Sequence, residues 1–174
     1  AQSVVDKIES TFPRPSGFTP NPSAVDLAID PQLNLLYVIT SNGVPGSGGG
    51  SYLQVYDGVT HTPVFTDTEL SIVSIDVDPT VGRAYMTRSR FNYLSLKMLA
   101  EGQRWVARLE GIVGNLRVDP SKGLVYLTSG WDKGPRLLVV DGQTADLLGD
   151  IPLDGEYALP ALDSLAERLY LIGK

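Results

Sequence analysis

Residues 24–40 read Ala24-Val25-Asp26-Leu27-Ala28-Ile29-Asp30-Pro31-Gln32-Leu33-Asn34-Leu35-Leu36-Tyr37-Val38-Ile39-Thr40. Ala24 to Ile29 is strand-like, and Leu35 to Thr40 is a β-branched, aromatic return strand. Turn chemistry lies between them. Pro31 presets φ directly after Asp30, whose carboxylate can accept nearby backbone N–H groups, and Asn34 can take the left-handed conformation that closes the turn. The stretch reads as an antiparallel hairpin in which Asp30 serves the turn rather than a ligand.

The same signature returns along the chain. Asp30-Pro31, Asp78-Pro79, Asp119-Pro120 and Asp163-Ser164 recur at intervals of 48, 41 and 44 residues, and seven positions after each Asp stands Tyr37, Tyr85, Tyr126 or Tyr170. A fixed offset kept in four copies identifies a structural repeat. Gly82 and Gly123 hold the place of Asn34. The last copy departs from the pattern, with Ser164 for the proline and Glu167 for the Asn or Gly, which leaves the geometry of that turn open.

Further strands follow in register. Tyr52-Leu53-Gln54-Val55-Tyr56-Asp57, Tyr93-Leu94-Ser95-Leu96-Lys97-Met98 and Arg136-Leu137-Leu138-Val139-Val140-Asp141 read as third strands, with Met98 replacing the Asp in the second copy. Fourth strands are legible around Pro63-Val64-Phe65, at Trp105 to Leu109 and at Asp146 to Ile151. Each repeat is therefore one four-stranded antiparallel unit, as in a propeller blade.

Tyr37-Val38-Ile39-Thr40 after Ile29-Asp30-Pro31, and Tyr126-Leu127-Thr128-Ser129 after Val118-Asp119-Pro120, resemble the repeat of the YVTN/NHL-like β-propellers. The resemblance covers nearly the whole chain. It implies an all-β propeller of four-stranded antiparallel blades, in one domain over residues 1–174. The blades would span about 24–70, 72–111 and 113–153, with 157–174 combined with 1–12, because Val4-Val5-Asp6 aligns with Val139-Val140-Asp141 and the last repeat stops after Arg168 to Ile172. Such a split blade fastens a ring and hides its sheet edges. This counts to about four blades. A piece of a larger propeller, or a homodimer whose two copies pair head to tail into an eight-bladed ring, are the other arrangements the pattern allows.

Composition narrows the functions. With 43% apolar residues and a formal charge of −6, the chain lacks the basic stripe that a nucleic-acid surface needs. No stretch approaches the roughly 20 apolar residues of a membrane span, so neither nucleic acid nor membrane insertion is expected. Cysteine is absent, which removes disulfides, thiolate chemistry and Cys-based zinc sites. The start at Ala1, without an initiator Met, fits a mature end left by signal cleavage or an excerpt of a longer chain. Either reading suits an extracellular, periplasmic or cell-surface location.

Function in this architecture belongs to the loops joining second to third strands and one blade to the next, which gather on one face. The Gly-rich stretch Gly43 to Gly50 lies there, without the Lys-Ser/Thr ending of a phosphate-cradling loop. Arg83, Arg88, Arg90, Lys97, Arg104 and Arg108 are six of the chain's 14 basic residues and make the second repeat basic on an acidic protein. Arg88 and Arg90, beside Phe91, can present guanidinium forks to a carboxylate, a phosphate or an acidic partner. Trp131 and Asp132 sit in the equivalent loop of the third repeat, where an aromatic can stack on a sugar or anchor a protein. Tyr157 and Tyr52 are weaker candidates of the same kind.

His61, the single histidine, lies in a Thr60-His61-Thr62-Pro63 turn and has no partner pattern for nucleophilic catalysis. The expectation is a non-catalytic binding or scaffold module for a protein or carbohydrate, with Arg88, Arg90, Trp131, Asp132 and Tyr157 as contact residues and no catalytic residues or cofactor assigned. Calcium held by carboxylates and carbonyls stays open, although no loop has the acidic spacing of a dedicated calcium motif. The competing readings are a metal-assisted lactonase- or lyase-like hydrolase with an acidic channel, and a structural repeat of a cell-surface protein.

Overall fold

The computed structural model describes residues 23–41, 51–67, 72–90, 93–99, 103–110, 113–130, 134–155 and 157–173. Every repeat folds as its hairpin signature predicts. The first gives β1 (Ser23–Asp30), β2 (Leu35–Ser41), β3 (Ser51–Asp57) and β4 (Pro63–Asp67). The second gives β5 (Ile72–Asp78), β6 (Arg83–Arg90), β7 (Tyr93–Leu99) and β8 (Gln103–Glu110). The third gives β9 (Val113–Asp119), β10 (Leu124–Ser129), β11 (Arg136–Asp141) and β12 (Leu147–Pro152), and the last gives β13 (Tyr157–Asp163) and β14 (Arg168–Gly173).

Strand order within each four-stranded sheet follows the chain, β1-β2-β3-β4, β5-β6-β7-β8 and β9-β10-β11-β12, while β13 and β14 form a two-stranded sheet. These are blades 1, 2 and 3 and a fourth unit. The expected contribution of residues 1–12 to that fourth unit falls outside the described residues. Register shifts recur in the pairing of first with second strands and of third with fourth strands, and none interrupts a second-to-third pairing. An extra residue on one strand increases local twist, so the bulges twist each blade at its inner and outer margins.

The hairpin turns owe their shape to the repeated Asp. Asp30 Oδ1 accepts the N–H groups of Gln32 and Leu33, each at 2.9 Å. Asp78 Oδ1 accepts both the N–H and the hydroxyl of Thr80, and Asp119 Oδ1 does the same with Ser121. Asp163 Oδ1 accepts the Ala166 N–H at 3.0 Å. Asn34, Gly82, Gly123 and Glu167 close these turns with φ of 53°, 60°, 64° and 52°. The last turn thus keeps the common geometry without its proline, and Glu167 bears the strain of a left-handed backbone.

Blades stack through their first strands, and side-chain alternation decides what each face buries. Ala28, Tyr37, Ile39, Leu53 and Val55 of blade 1 pack on Ile72, Ile75, Val77, Ala84 and Met86 of blade 2. Tyr85 of blade 2 joins Leu116, Val118, Val125, Leu127, Leu138, Val140 and Ala145 of blade 3. The core is therefore a series of interfaces between blades.

Candidate functional site

Strand direction sorts the residues into two ends. One end holds the tight turns: β1 to β2, β3 to β4, β5 to β6, β9 to β10, β11 to β12 and β13 to β14. The other holds the connections from second to third strands and between blades. Ser41 pairs with Ser51, Ile72 with Arg88, and Tyr157 with Gly173 at that loop end.

Polar groups on the first strands are spent on joining blades. Asp26 Oδ2 accepts the Ile75 N–H at 3.0 Å and the Ser74 hydroxyl at 2.7 Å. Ser74 Oγ in turn accepts the Leu116 N–H at 3.3 Å, and Asp76 Oδ2 accepts the Val118 N–H at 2.9 Å. Asp26 and Ser74 both stand four residues before their turn Asp, and Ile75 and Leu116 three before theirs. The same stitch therefore joins blade 1 to 2 and blade 2 to 3. Burial holds the Asp76 carboxyl above the ordinary carboxylate value, against the opposing pull of the Val118 and Val77 N–H donors. In the fourth unit Pro160 occupies the donor position and has no N–H to give.

At the loop end, Ser51 Oγ donates to the Ile72 carbonyl at 2.5 Å and Thr87 Oγ1 to the Gly114 carbonyl at 2.9 Å, so adjacent blades are tied there as well. Arg136 pairs with Asp150 across β11 and β12. The Leu153 N–H donates to the Pro135 carbonyl at 2.9 Å, bracing the connection into β13.

The expected contact residues fall as follows. Arg88 and Arg90 belong to the last turn-free stretch of β6, opposite Ser95 and Tyr93 of β7. Arg108 of β8 also pairs with Ser95, so Arg88, Ser95 and Arg108 share one cross-strand row. Tyr157 opens β13, half-buried, and its hydroxyl donates to Asp154 Oδ1 at 2.5 Å. That bond holds the Tyr157 phenol above the ordinary tyrosine value. Trp131 and Asp132 lie outside the described residues. Arg83, grouped with the basic residues by sequence, stands at the opposite end, where Nη1 reaches the Gly142 carbonyl at 3.3 Å. His61 is also at that end, exposed in the β3 to β4 turn with φ of 56°. Among the described residues no group of three His, Cys, Asp or Glu stands where it could hold a metal ion.

Sequence reasoning missed one repeated device. Asp57-Gly58-Val59-Thr60 and Asp141-Gly142-Gln143-Thr144 build matching outer turns: Asp57 Oδ1 accepts the Val59 and Thr60 N–H groups, and Asp141 Oδ1 those of Gln143 and Thr144. Each glycine N–H donates at 2.8 Å to the inner turn of its own blade, Gly58 to the Asn34 carbonyl and Gly142 to the Gly123 carbonyl. The signal was legible as an Asp-Gly pair with Thr two residues on.

The arrangement of twisted antiparallel sheets stacked through their first strands is also that of known structures. The chain superposes on one from the nidogen/laminin complex with a TM-score of 0.65, at 16% identity, over 86% of this chain and 56% of that one. The chain is a β-propeller. The propeller also superposes on Chaetomium thermophilum Sqt1 bound to the N-terminus of ribosomal protein L10, with a TM-score of 0.61 and 13% identity over 86% of this chain and 43% of that one. For the Pyrococcus horikoshii acylaminoacyl peptidase the TM-score is 0.62 at 9% identity, over 91% of the propeller and 32% of that chain. The propeller thus spans between about a third and just over half of the structures it resembles. No family description and no curated protein matches its sequence.

Proposed function

We propose that this propeller is a non-catalytic binding module, of the YVTN type in its repeat, that recognises an acidic protein partner through the loop end of its blades. The observation that carries this reading is the division of polar labour. The acids of the first strands and tight turns are consumed by backbone N–H groups, whereas Arg88, Arg90 and Tyr157 stand on strand ends at the other end, where the sequence leads us to expect Trp131 and Asp132 as well. A basic blade on a chain of charge −6 steers an acidic ligand to one place and repels it elsewhere. Two of the similar structures, the nidogen/laminin complex and Sqt1 with the L10 N-terminus, are complexes with protein partners. The working form of the module is a homodimer that shares one larger ring.

A panel of acidic peptides tests the reading. Binding that weakens with salt and is lost in the Arg88→Ala/Arg90→Ala/Trp131→Ala variant, with the far-UV spectrum unchanged, is the expected result. Undiminished binding by that variant, or salt-insensitive binding to glycans alone, would overturn it. So would calcium-dependent turnover of lactones.

A further inference from the structure

Equivalent positions in successive blades differ sharply in exposure. Three and one residues before the turn Asp stand Leu27 and Ile29 in blade 1, Ile75 and Val77 in blade 2, and Leu116 and Val118 in blade 3. Those of blades 2 and 3 are at most 7% exposed because the preceding blade covers them, while Leu27 and Ile29 are 57% and 60% exposed. The fourth unit shows the complementary situation. Its Ala161, Tyr170 and Ile172 occupy the positions of Ala28, Tyr37 and Ile39, three of the residues with which blade 1 covers blade 2. The residue types are identical at all three positions. Yet Tyr170 and Ile172 are 50% and 59% exposed, where Tyr37 and Ile39 are 4% and 0%. One chain thus carries an uncovered apolar face at each end of its series of blades, and the second is a copy of the face that covers the first's equivalent.

The polar groups match as well. At the interface of blades 2 and 3 the Tyr85 hydroxyl donates to the Gly142 carbonyl of the Asp-Gly turn, and Gly142 is buried there. Blade 1 repeats that turn, but Gly58 is exposed, and among the described residues no blade precedes this one to supply a tyrosine. Tyr170 is the counterpart of Tyr85. Elsewhere a preceding blade must also supply an acceptor for the N–H three residues before the turn Asp. In blade 1 that group is Leu27 N–H, which already donates to Asp26 Oδ1 at 2.9 Å. The fourth unit has Leu159, a residue type without a polar side-chain atom, at the position where Asp26 and Ser74 provide acceptors, so it offers none where none is needed.

We infer that the fourth unit of one copy docks on blade 1 of a second copy, Ala161, Tyr170 and Ile172 covering Leu27 and Ile29, with the Tyr170 hydroxyl donating to the Gly58 carbonyl. The contact is heterologous, head to tail, and made twice it closes a ring of two copies. The chain matches 56% of one chain and 43% of another, so each of those structures holds more chain than one copy supplies. The inference rests on the homodimer proposed above and names its interface.

Light scattering of the 174-residue chain tests it through two variants, Leu27→Asp/Ile29→Asp and Tyr170→Asp/Ile172→Asp. Both alter exposed side chains, and far-UV and near-UV spectra confirm that each folds. The wild-type chain runs at twice its monomer mass of 18.8 kDa, and each variant alone runs as a monomer. Mixed in equal amounts, the variants regain one intact contact of the two, from the fourth unit of the Leu27→Asp/Ile29→Asp chain to blade 1 of the other, so the mixture forms an open dimer weaker than the wild-type ring. Tyr170→Phe removes one hydrogen bond at each of the two contacts and raises the dimer dissociation constant roughly thirty-fold. A monomeric wild type would overturn the homodimer and its interface together. A dimer that survives either variant at wild-type strength would overturn the interface while leaving the homodimer standing.

Discussion

The Tyr85 hydroxyl of blade 2 donates a 2.9 Å hydrogen bond to the Gly142 carbonyl of blade 3, from within the apolar cluster that joins the two blades. Burial raises the Tyr85 pKa above the ordinary tyrosine value, so the phenol stays a donor at neutral pH. Tyr85→Phe keeps the ring in the core and removes only this bond. We expect it to lower unfolding stability by about 1–2 kcal/mol, with Arg83 Nη1 still partly satisfying the carbonyl. Urea denaturation measures the difference, and an unchanged midpoint would show that the bond contributes nothing.

Two glycines of blade 3 separate lack of space from backbone strain. A Cβ on Gly142 would stand 2.9 Å from both the Gly123 carbonyl oxygen and the Tyr85 hydroxyl, contacts that neither rigid neighbour can relieve. Gly142→Ala should cost about 2–3 kcal/mol or more. A Cβ on Gly123 would meet nothing within 4 Å, but φ there is +64°. Gly123→Ala should therefore cost only the conformational term, about 1–2 kcal/mol. Chemical denaturation of both variants gives the order, and a larger loss for Gly123→Ala would contradict the account.

Asp76 sets a pH dependence of defined sign. Its folded pKa lies above the ordinary value of 3.8, first because of burial. The folded state therefore binds the proton more tightly than the unfolded chain. Its contribution is fully present below the unfolded pKa and is lost as pH rises through the folded one. Relative to Asp76→Asn, which keeps an acceptor for the Val118 N–H, the wild type should gain stability as pH falls through that window. Stability measured across the acid range for both proteins checks this, and a difference that moves the opposite way would refute it. Asp141, whose pKa the Thr144 and Gln143 N–H groups hold down, behaves inversely: its contribution is present above the ordinary carboxylate value and lost as pH falls through its lowered one.

Glu167 closes the last hairpin with φ of 52° and pairs with Lys122 across blades at 3.3 Å. An L side chain in that conformation costs about 1–2 kcal/mol, while so exposed an ion pair contributes between about 0 and 1. Glu167→Gly should thus leave stability unchanged or raise it by up to about 2 kcal/mol, despite losing the pair. A clear fall in melting temperature would mean that the Lys122 contact outweighs the strain.

The hairpins were legible in the chain before any contact was known. Asp followed by a left-handed closing residue, then tyrosine at a constant offset, is local chemistry, and β13 with β14 obeyed it even where Ser164 and Glu167 broke the consensus. Arg88, Arg90 and Tyr157 could be assigned to one end of the blades for the same reason, since strand alternation fixes direction. How the blades bond was settled only by their stacking. Asp26 meets Ile75 from 49 residues away, and Tyr85 meets Gly142 from 57, pairings that no local pattern encodes. Stacking also makes Leu27 face outward while Ile75, of the same chemical kind and in the same repeat position, is sealed. Burial belongs to the neighbour that covers a face, and only the assembled blades show which faces have one.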